Sequence, residues 1–117
     1  QKLLDAHVAA QLTPPNLKDV LEELGVSAKE AAPVMRLLCE EGALVKIKDG
    51  LYYHGPVLSD ILERVRRWFE SNDNLDVGSL KEILGLSRKY LISLLEYMDN
   101  ERITVRVGDQ RRYRGRG

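Results

Sequence analysis

Sixty positions along, this chain repeats itself. Leu24-Gly25-Val26-Ser27 returns as Leu84-Gly85-Leu86-Ser87 with no gap between the copies. In the same frame Lys29 lies over Lys89, Glu41 over Glu101, Val45 over Val105, Asp49 over Asp109 and Tyr53 over Tyr113. The apolar pattern follows: Val34, Met35, Leu37 and Leu38 fall over Leu94, Leu95, Tyr97 and Met98. A period of this length means one supersecondary unit used twice. The 117 residues are therefore read as two very small units rather than one ordinary domain, each near the lower size limit for independent folding.

Each copy presents the same order of signals. A helix is expected over 2–12 and over 57–71, the second with Leu58, Ile61, Leu62, Val65, Trp68 and Phe69 as an apolar stripe. Trp68 and Phe69 are expected to help bury the small core. Pro14-Pro15 and Asn72-Asp73-Asn74 break the chain. A short helix is expected over 17–24 and 79–84, ended by Gly25 and Gly85 as the C-terminal glycines of helices. Ser27 and Ser87 then cap third helices over 28–41 and 88–101. Glu30 completes a capping box with Ser27, while the second copy has Tyr90 in that place. Strands over 43–48 and 51–54 flank Asp49-Gly50, and strands over 103–107 and 110–114 flank Gly108-Asp109. Val105 and Val107 are expected to face the core, with Thr104 and Arg106 outward; Tyr113 is expected to be core, like Tyr53. Three helices and a hairpin form a helix-turn-helix with an added wing. The fold class is thus mostly α with small β-hairpin wings: two tandem winged-helix domains, residues 1–56 and 57–117.

Enzyme chemistry finds no support. His7 and His54 lie far apart, Cys39 has no second cysteine, and no phosphate-binding glycine loop is present. No apolar run approaches a membrane span, and Asp5 and His7 interrupt the opening segment against a signal peptide. The lone thiol suits a reducing cytoplasm. The chain opens without Met in a helical pattern, so a larger parent protein is expected.

Charge separates the copies. The formal net charge is zero, yet residues 1–57 carry 6 basic and 8 acidic groups, while 75–117 carry 9 and 6. Residues 102–117 hold six arginines against one aspartate. Basic charge collected at one end is the footprint of an anionic partner. Residues common to both copies serve the fold; those that differ are candidates for binding. Ala28 is replaced by Arg88, Glu30 by Tyr90, Gly42 by Arg102, and Leu51-Tyr52 by Arg111-Arg112. Ser87-Arg88-Lys89-Tyr90 places two cations at a helix N-terminus, where free N–H groups favour anions. The candidate nucleic-acid contacts are Ser87, Arg88, Lys89, Tyr90, Arg102, Arg106, Arg111, Arg112 and Arg114. Beyond Lys89 the third helix lacks Asn or Gln for reading adenine in a major groove. A grip by the helix start and the wing suits RNA loops and bulges better. A DNA-binding regulator and a protein-interaction module are the alternatives.

Leu84-Gly85-Leu86-Ser87-Arg88-Lys89-Tyr90, then Leu94-Leu95-Glu96-Tyr97-Met98-Asp99, then Thr104, Arg106, Val107-Gly108-Asp109 and Arg111 resemble the C-terminal end of the SelB family, the bacterial selenocysteine-specific elongation factors. The resemblance covers roughly residues 77–111. It implies a GTPase-type elongation factor ahead of four winged-helix domains, of which this chain is the third and fourth. It implies that the last binds the selenocysteine insertion hairpin of the messenger RNA, with Ser87, Arg88, Lys89, Arg106 and Arg111 at the RNA. The ribosome and selenocysteinyl-tRNA are then partners through the rest of the parent, GTP belongs to the missing part, and this chain needs no cofactor. A cytoplasmic monomer is expected. Met98 for leucine, Val105 for a second arginine, and Arg112-Tyr113-Arg114 for a more aliphatic ending depart from the family pattern.

Overall fold

The computed structural model describes residues 2–114. It divides into two compact units, Gln1–Ser59 and Asp60–Gly117. The first holds α1 (Lys2–Ala10), α2 (Leu17–Leu24), α3 (Ala28–Glu40), β1 (Leu44–Lys48) and β2 (Leu51–His54). The second is built from α4 (Gly55–Ser71, within which the division falls), α5 (Val77–Leu84), α6 (Arg88–Asn100), β3 (Thr104–Val107) and β4 (Gln110–Tyr113). Each hairpin is a separate two-stranded antiparallel sheet. Three helices followed by such a hairpin make each unit a winged helix.

The local reasons are largely those read in the sequence. Gly25 and Gly85 end α2 and α5 at φ +70°, a left-handed conformation that costs glycine nothing. Ser27 and Glu30 form the full capping box: the Ser27 hydroxyl accepts from the Glu30 N–H, and the Ser27 N–H donates to the Glu30 carboxylate, both at 3.1 Å. α5 starts at Val77, two residues ahead of expectation, because Asp76 is its cap and accepts from the Ser79 N–H at 2.7 Å. α1 ends at Ala10 rather than reaching residue 12; Gln11 turns the chain with φ +49°.

The first core gathers Leu3, Val20, Leu21, Ala31, Met35, Leu38 and Leu44. The second unit buries Ile61, Val65, Leu75, Leu80, Leu91, Leu94, Leu95 and Met98. At about 1.5–3 kcal/mol for each large side chain, this burial is what opposes chain entropy in units so small. Trp68 and Phe69 are only half-buried. The Trp68 indole N–H donates to the Asn74 carbonyl at 2.9 Å, so the ring closes over the turn after α4.

Two expectations about the second wing are corrected. Val105 and Val107 face solvent, 40% and 55% exposed, while Thr104 is buried. The pairing Thr104 with Tyr113, Val105 with Arg112, Arg106 with Arg111 and Val107 with Gln110 is regular, so alternation keeps Val107 on the side of Val105. In the first wing the register shifts between Lys46 and Lys48. That irregularity changes the parity, and Ile47, the counterpart of Val107, is buried along with Leu44. Tyr113 also leaves the core. Tyr53 is fully buried, its hydroxyl donating to the Leu12 carbonyl at 2.8 Å. Tyr113 is 37% exposed and stacks on Phe69, with ring centroids 5.0 Å apart. The longer α4 supplies an aromatic partner that α1 lacks.

Candidate nucleic-acid interface

Asp99 fixes the second wing to α6. Its Oδ1 accepts from the Thr104 hydroxyl at 2.6 Å, and its Oδ2 accepts from Arg111 Nε and Nη2 at 3.2 and 3.1 Å. Arg111 is only 5% exposed. Its main chain also bridges Leu75 in both directions, at 2.7 and 2.8 Å. An arginine so enclosed holds strand to helix. Its side chain is not offered to solvent as Arg106, Arg112 and Arg114 are.

A cleft of about 470 Å³ opens beside this anchor. Its walls are Asp76, Val77 and Gly78 from the start of α5, Arg88, Ile92 and Glu96 from one face of α6, and Arg106, Asp109 and Arg111 from the wing. Arg106 is oriented by a bond from its Nε to the Gly108 carbonyl at 2.9 Å. The Asp76 carboxyl is held below the usual carboxylate range by the Ser79 N–H first and the Ser79 hydroxyl second. Gln110 reaches its other oxygen at 3.5 Å. The cleft thus offers cations, one fixed carboxylate and the apolar side chains of Val77 and Ile92, a set that can hold a phosphate and hydrogen-bond the edge of a base.

The first turn of α6 borders the cleft. Ser87 is its N-cap residue, yet its hydroxyl makes no capping bond. Arg88 and Lys89 are exposed, and among the described residues neither is in an ion pair. Lys89 Nζ lies 5.0 Å from the centre of the Tyr90 ring. That contact occupies one face of Tyr90, which is half-buried. Further along, Leu91, Leu94, Leu95 and Met98 are core, and Glu96 is the cleft's acidic wall. Helix α6 has no row of polar readers to lay in a major groove.

The predicted contacts therefore divide. Arg88, Arg106 and the buried Arg111 line the cleft, and Ser87, Lys89 and Tyr90 sit beside Arg88 at the start of α6. Arg102, Arg112 and Arg114 are exposed but stand at the base of the hairpin. Asp76, Asp99, Asp109 and Gln110 were not predicted. The signal for Asp99 lay in the repeat: the first unit has Cys39 in its place and Leu51 in the place of Arg111.

The same cleft exists in the first unit with other chemistry. A cavity of about 410 Å³ is lined by Ala28, Ala32, Met35, Arg36, Cys39 and Lys46, among others. Ala28 stands for Arg88, Ala32 for Ile92, Arg36 for Glu96 and Lys46 for Arg106. Burial raises the Cys39 thiol pKa, against a smaller lowering by Lys46.

The family model described as elongation factor SelB, winged helix, matches residues 67–113. A selenocysteine-specific elongation factor from Desulfomicrobium baculatum is 44% identical over 110 residues, which is 94% of this chain and 17% of that protein. The chain spans about a sixth of the length of that curated relative. The mRNA-binding domain of SelB from E. coli, solved in complex with SECIS RNA, superposes with a TM-score of 0.76. It is 22% identical and the match covers 86% of this chain and 83% of that one, so it speaks for the fold. A bacterial selenocysteine-specific elongation factor, EF-Sec, gives a TM-score of 0.69 at 29% identity over 86% of this chain and 16% of its own. Among the described residues no helix is long and apolar enough to cross a membrane, and no group of three or more His, Cys, Asp or Glu could hold a metal ion.

Proposed function

We propose that the second winged helix binds an mRNA stem-loop, the selenocysteine insertion hairpin, and so delivers a specialised elongation factor to the site of selenocysteine incorporation. The observation that carries this reading is the cleft at the start of α6. Arg88 lines it and Lys89 follows in the same turn, neither in an ion pair among the described residues, and the Ser87 hydroxyl is not spent on capping its own helix. Lys89 and Arg106 take phosphates; Ser87, Arg88 and the cleft take one or two unpaired bases, with Tyr90 packed behind Lys89. Arg111 acts through Asp99 as a positioning residue. The first winged helix, residues 1–56, is a spacer between the RNA and the rest of the parent. On this reading the chain itself catalyses nothing, and GTP, the ribosome and selenocysteinyl-tRNA are engaged by the parts of the parent that precede it. The SelB relatives and the apolar, acidic body of α6 favour looped RNA over duplex DNA.

Titration of the chain with the hairpin, with loop mutants and with duplex DNA at fixed salt tests this. Arg88→Ala should cost about 1–3 kcal/mol against the cognate loop and reduce discrimination among loops. Equal affinity for every RNA and for duplex DNA overturns the reading.

A further inference from the structure

The cations of the second unit form two groups that the structure keeps apart. Arg88 and Arg106 line the inner cleft, which runs along α6 from Arg88 past Ile92 to Glu96. Arg102 follows Glu101, the residue that caps the other end of this 13-residue helix, about 20 Å away along its axis. The Arg114 N–H donates to the Ile103 carbonyl at 2.9 Å, which sets Arg114 at the hairpin base, next to where Arg102 enters it. Arg112 pairs with Val105 and shares a side of the ladder with Arg114 by alternation. That is the outer side, away from Thr104, Arg111 and Asp99. All three arginines are exposed, and none is ion-paired among the described residues. The arginines of α4 differ: Arg64 is matched by Asp60, Arg66 by Glu63 and Glu70, and Arg67 by Glu63.

Arg102 carries a second mark. Its φ is +61°, a left-handed conformation unusual for a residue with a Cβ. The equivalent turn of the first unit uses Gly42, at φ +79°. An arginine held where glycine would be unstrained points to a task for its side chain outside the fold.

We infer that the outer face of the second wing is a separate RNA surface, on which Arg102, Arg112 and Arg114 hold the phosphate backbone of the hairpin's paired stem. This rests on the hairpin reading above. A short loop held at Arg88, at the start of α6, does not reach round to the outer side of the wing, about 20 Å further along the helix axis. A duplex strand advances roughly 3 Å per pair, so the stem reaches the hairpin base after about six or seven pairs. The guanidinium fork suits phosphate oxygens, and three such contacts add to the salt dependence of binding.

The test uses the whole chain and one loop on two hairpins, with stems of roughly three and roughly twelve pairs, titrated across a salt series. The wild type should bind the long stem more tightly and with a steeper salt dependence, by about two to three in the logarithmic slope. The combined Arg102→Gly, Arg112→Ala, Arg114→Ala variant should bind both stems alike. Arg88→Ala should bind both less tightly and keep the difference between them. Arg102→Gly alone should lower the slope by about one without lowering the melting temperature. Equal wild-type affinities for the two stems overturn the inference and leave the hairpin reading standing. So does a triple variant that still prefers the long stem, or a wild-type preference supplied equally well by a separate duplex added to the short hairpin. No affinity for either hairpin overturns both.

Discussion

Three positions, compared across the two units, hold Cys39, Leu44 and Leu51 in the first and Asp99, Thr104 and Arg111 in the second. In the second unit they join the third helix to the hairpin by hydrogen bonds, and in the first Cys39 packs against the core cluster that holds Leu44. The first unit's set is apolar: Leu44 and Leu51 are buried and Cys39 is half-buried. The second uses a carboxylate that accepts from a hydroxyl and from a guanidinium at 3.1 Å. The difference teaches what a polar anchor adds. Buried ion pairs seldom exceed apolar packing in stability, because desolvation offsets their attraction. The pair ties the cationic wing to α6 beside the cleft, and the expected gain is direction rather than stability.

The largest expected effect comes from breaking that anchor. Asp99→Ala leaves Arg111 buried without its partner and should destabilise the second unit by about 3–5 kcal/mol in urea denaturation. Installing the first unit's set, Asp99→Cys with Thr104→Leu and Arg111→Leu, should instead be neutral or stabilising by up to about 4 kcal/mol. Its RNA affinity sharpens the comparison. Full retention would mean that the ion pair has no role in aiming the wing. Loss of affinity in a stably folded variant, at an arginine that is 5% exposed, assigns Arg111 to positioning.

Much of this architecture is legible in the sequence, for physical reasons that can be named. The Leu-Gly turns and serine caps are local chemistry, and local chemistry repeats wherever its residues do. The faces of the strands are not local. Ile47 turns inward through a register shift that its own sequence does not announce, and Val107, without the shift, turns outward. Arg111 looks like any wing arginine until Asp99, twelve residues earlier, is placed against it. The paired exchange of Cys39 for Asp99 and Leu51 for Arg111 carried that information, in two positions that must be read together. Arg102 opposite Gly42 was a plainer signal, since a glycine at the end of a helix often marks a left-handed residue.

A middle-sized effect separates the two serine caps. Ser27→Ala removes the hydroxyl that accepts from the Glu30 N–H and should cost the first unit about 1 kcal/mol, within a range of about 0.5–2. Ser87→Ala removes a hydroxyl that makes no capping bond and should leave the thermal stability of the second unit nearly unchanged while weakening hairpin binding. Comparable stability losses at the two serines would break the division between a structural cap and a binding one.

The smallest effect is the acid response of the remaining cap. Asp76 titrates below the ordinary carboxylate range because its ionised form accepts from the Ser79 N–H and hydroxyl. A group whose folded pKa lies below its unfolded value binds protons more readily in the unfolded chain. Its stabilisation is therefore complete above the unfolded value, near pH 4, and disappears as pH falls through the lower folded value. Glu30 in the first unit is lowered in the same direction by its bonds with Ser27, so both units should lose cap stability in acid. Asp76→Asn keeps an N-cap acceptor but removes the titration. It should leave neutral-pH stability within about 1 kcal/mol of wild type and flatten the acid limb of the second unit alone. Thermal melts between pH 2 and pH 7, resolved by unit through the Trp68 signal, would show it. An acid limb unchanged by Asp76→Asn would move the pH dependence of the second unit from this cap to its other carboxylates.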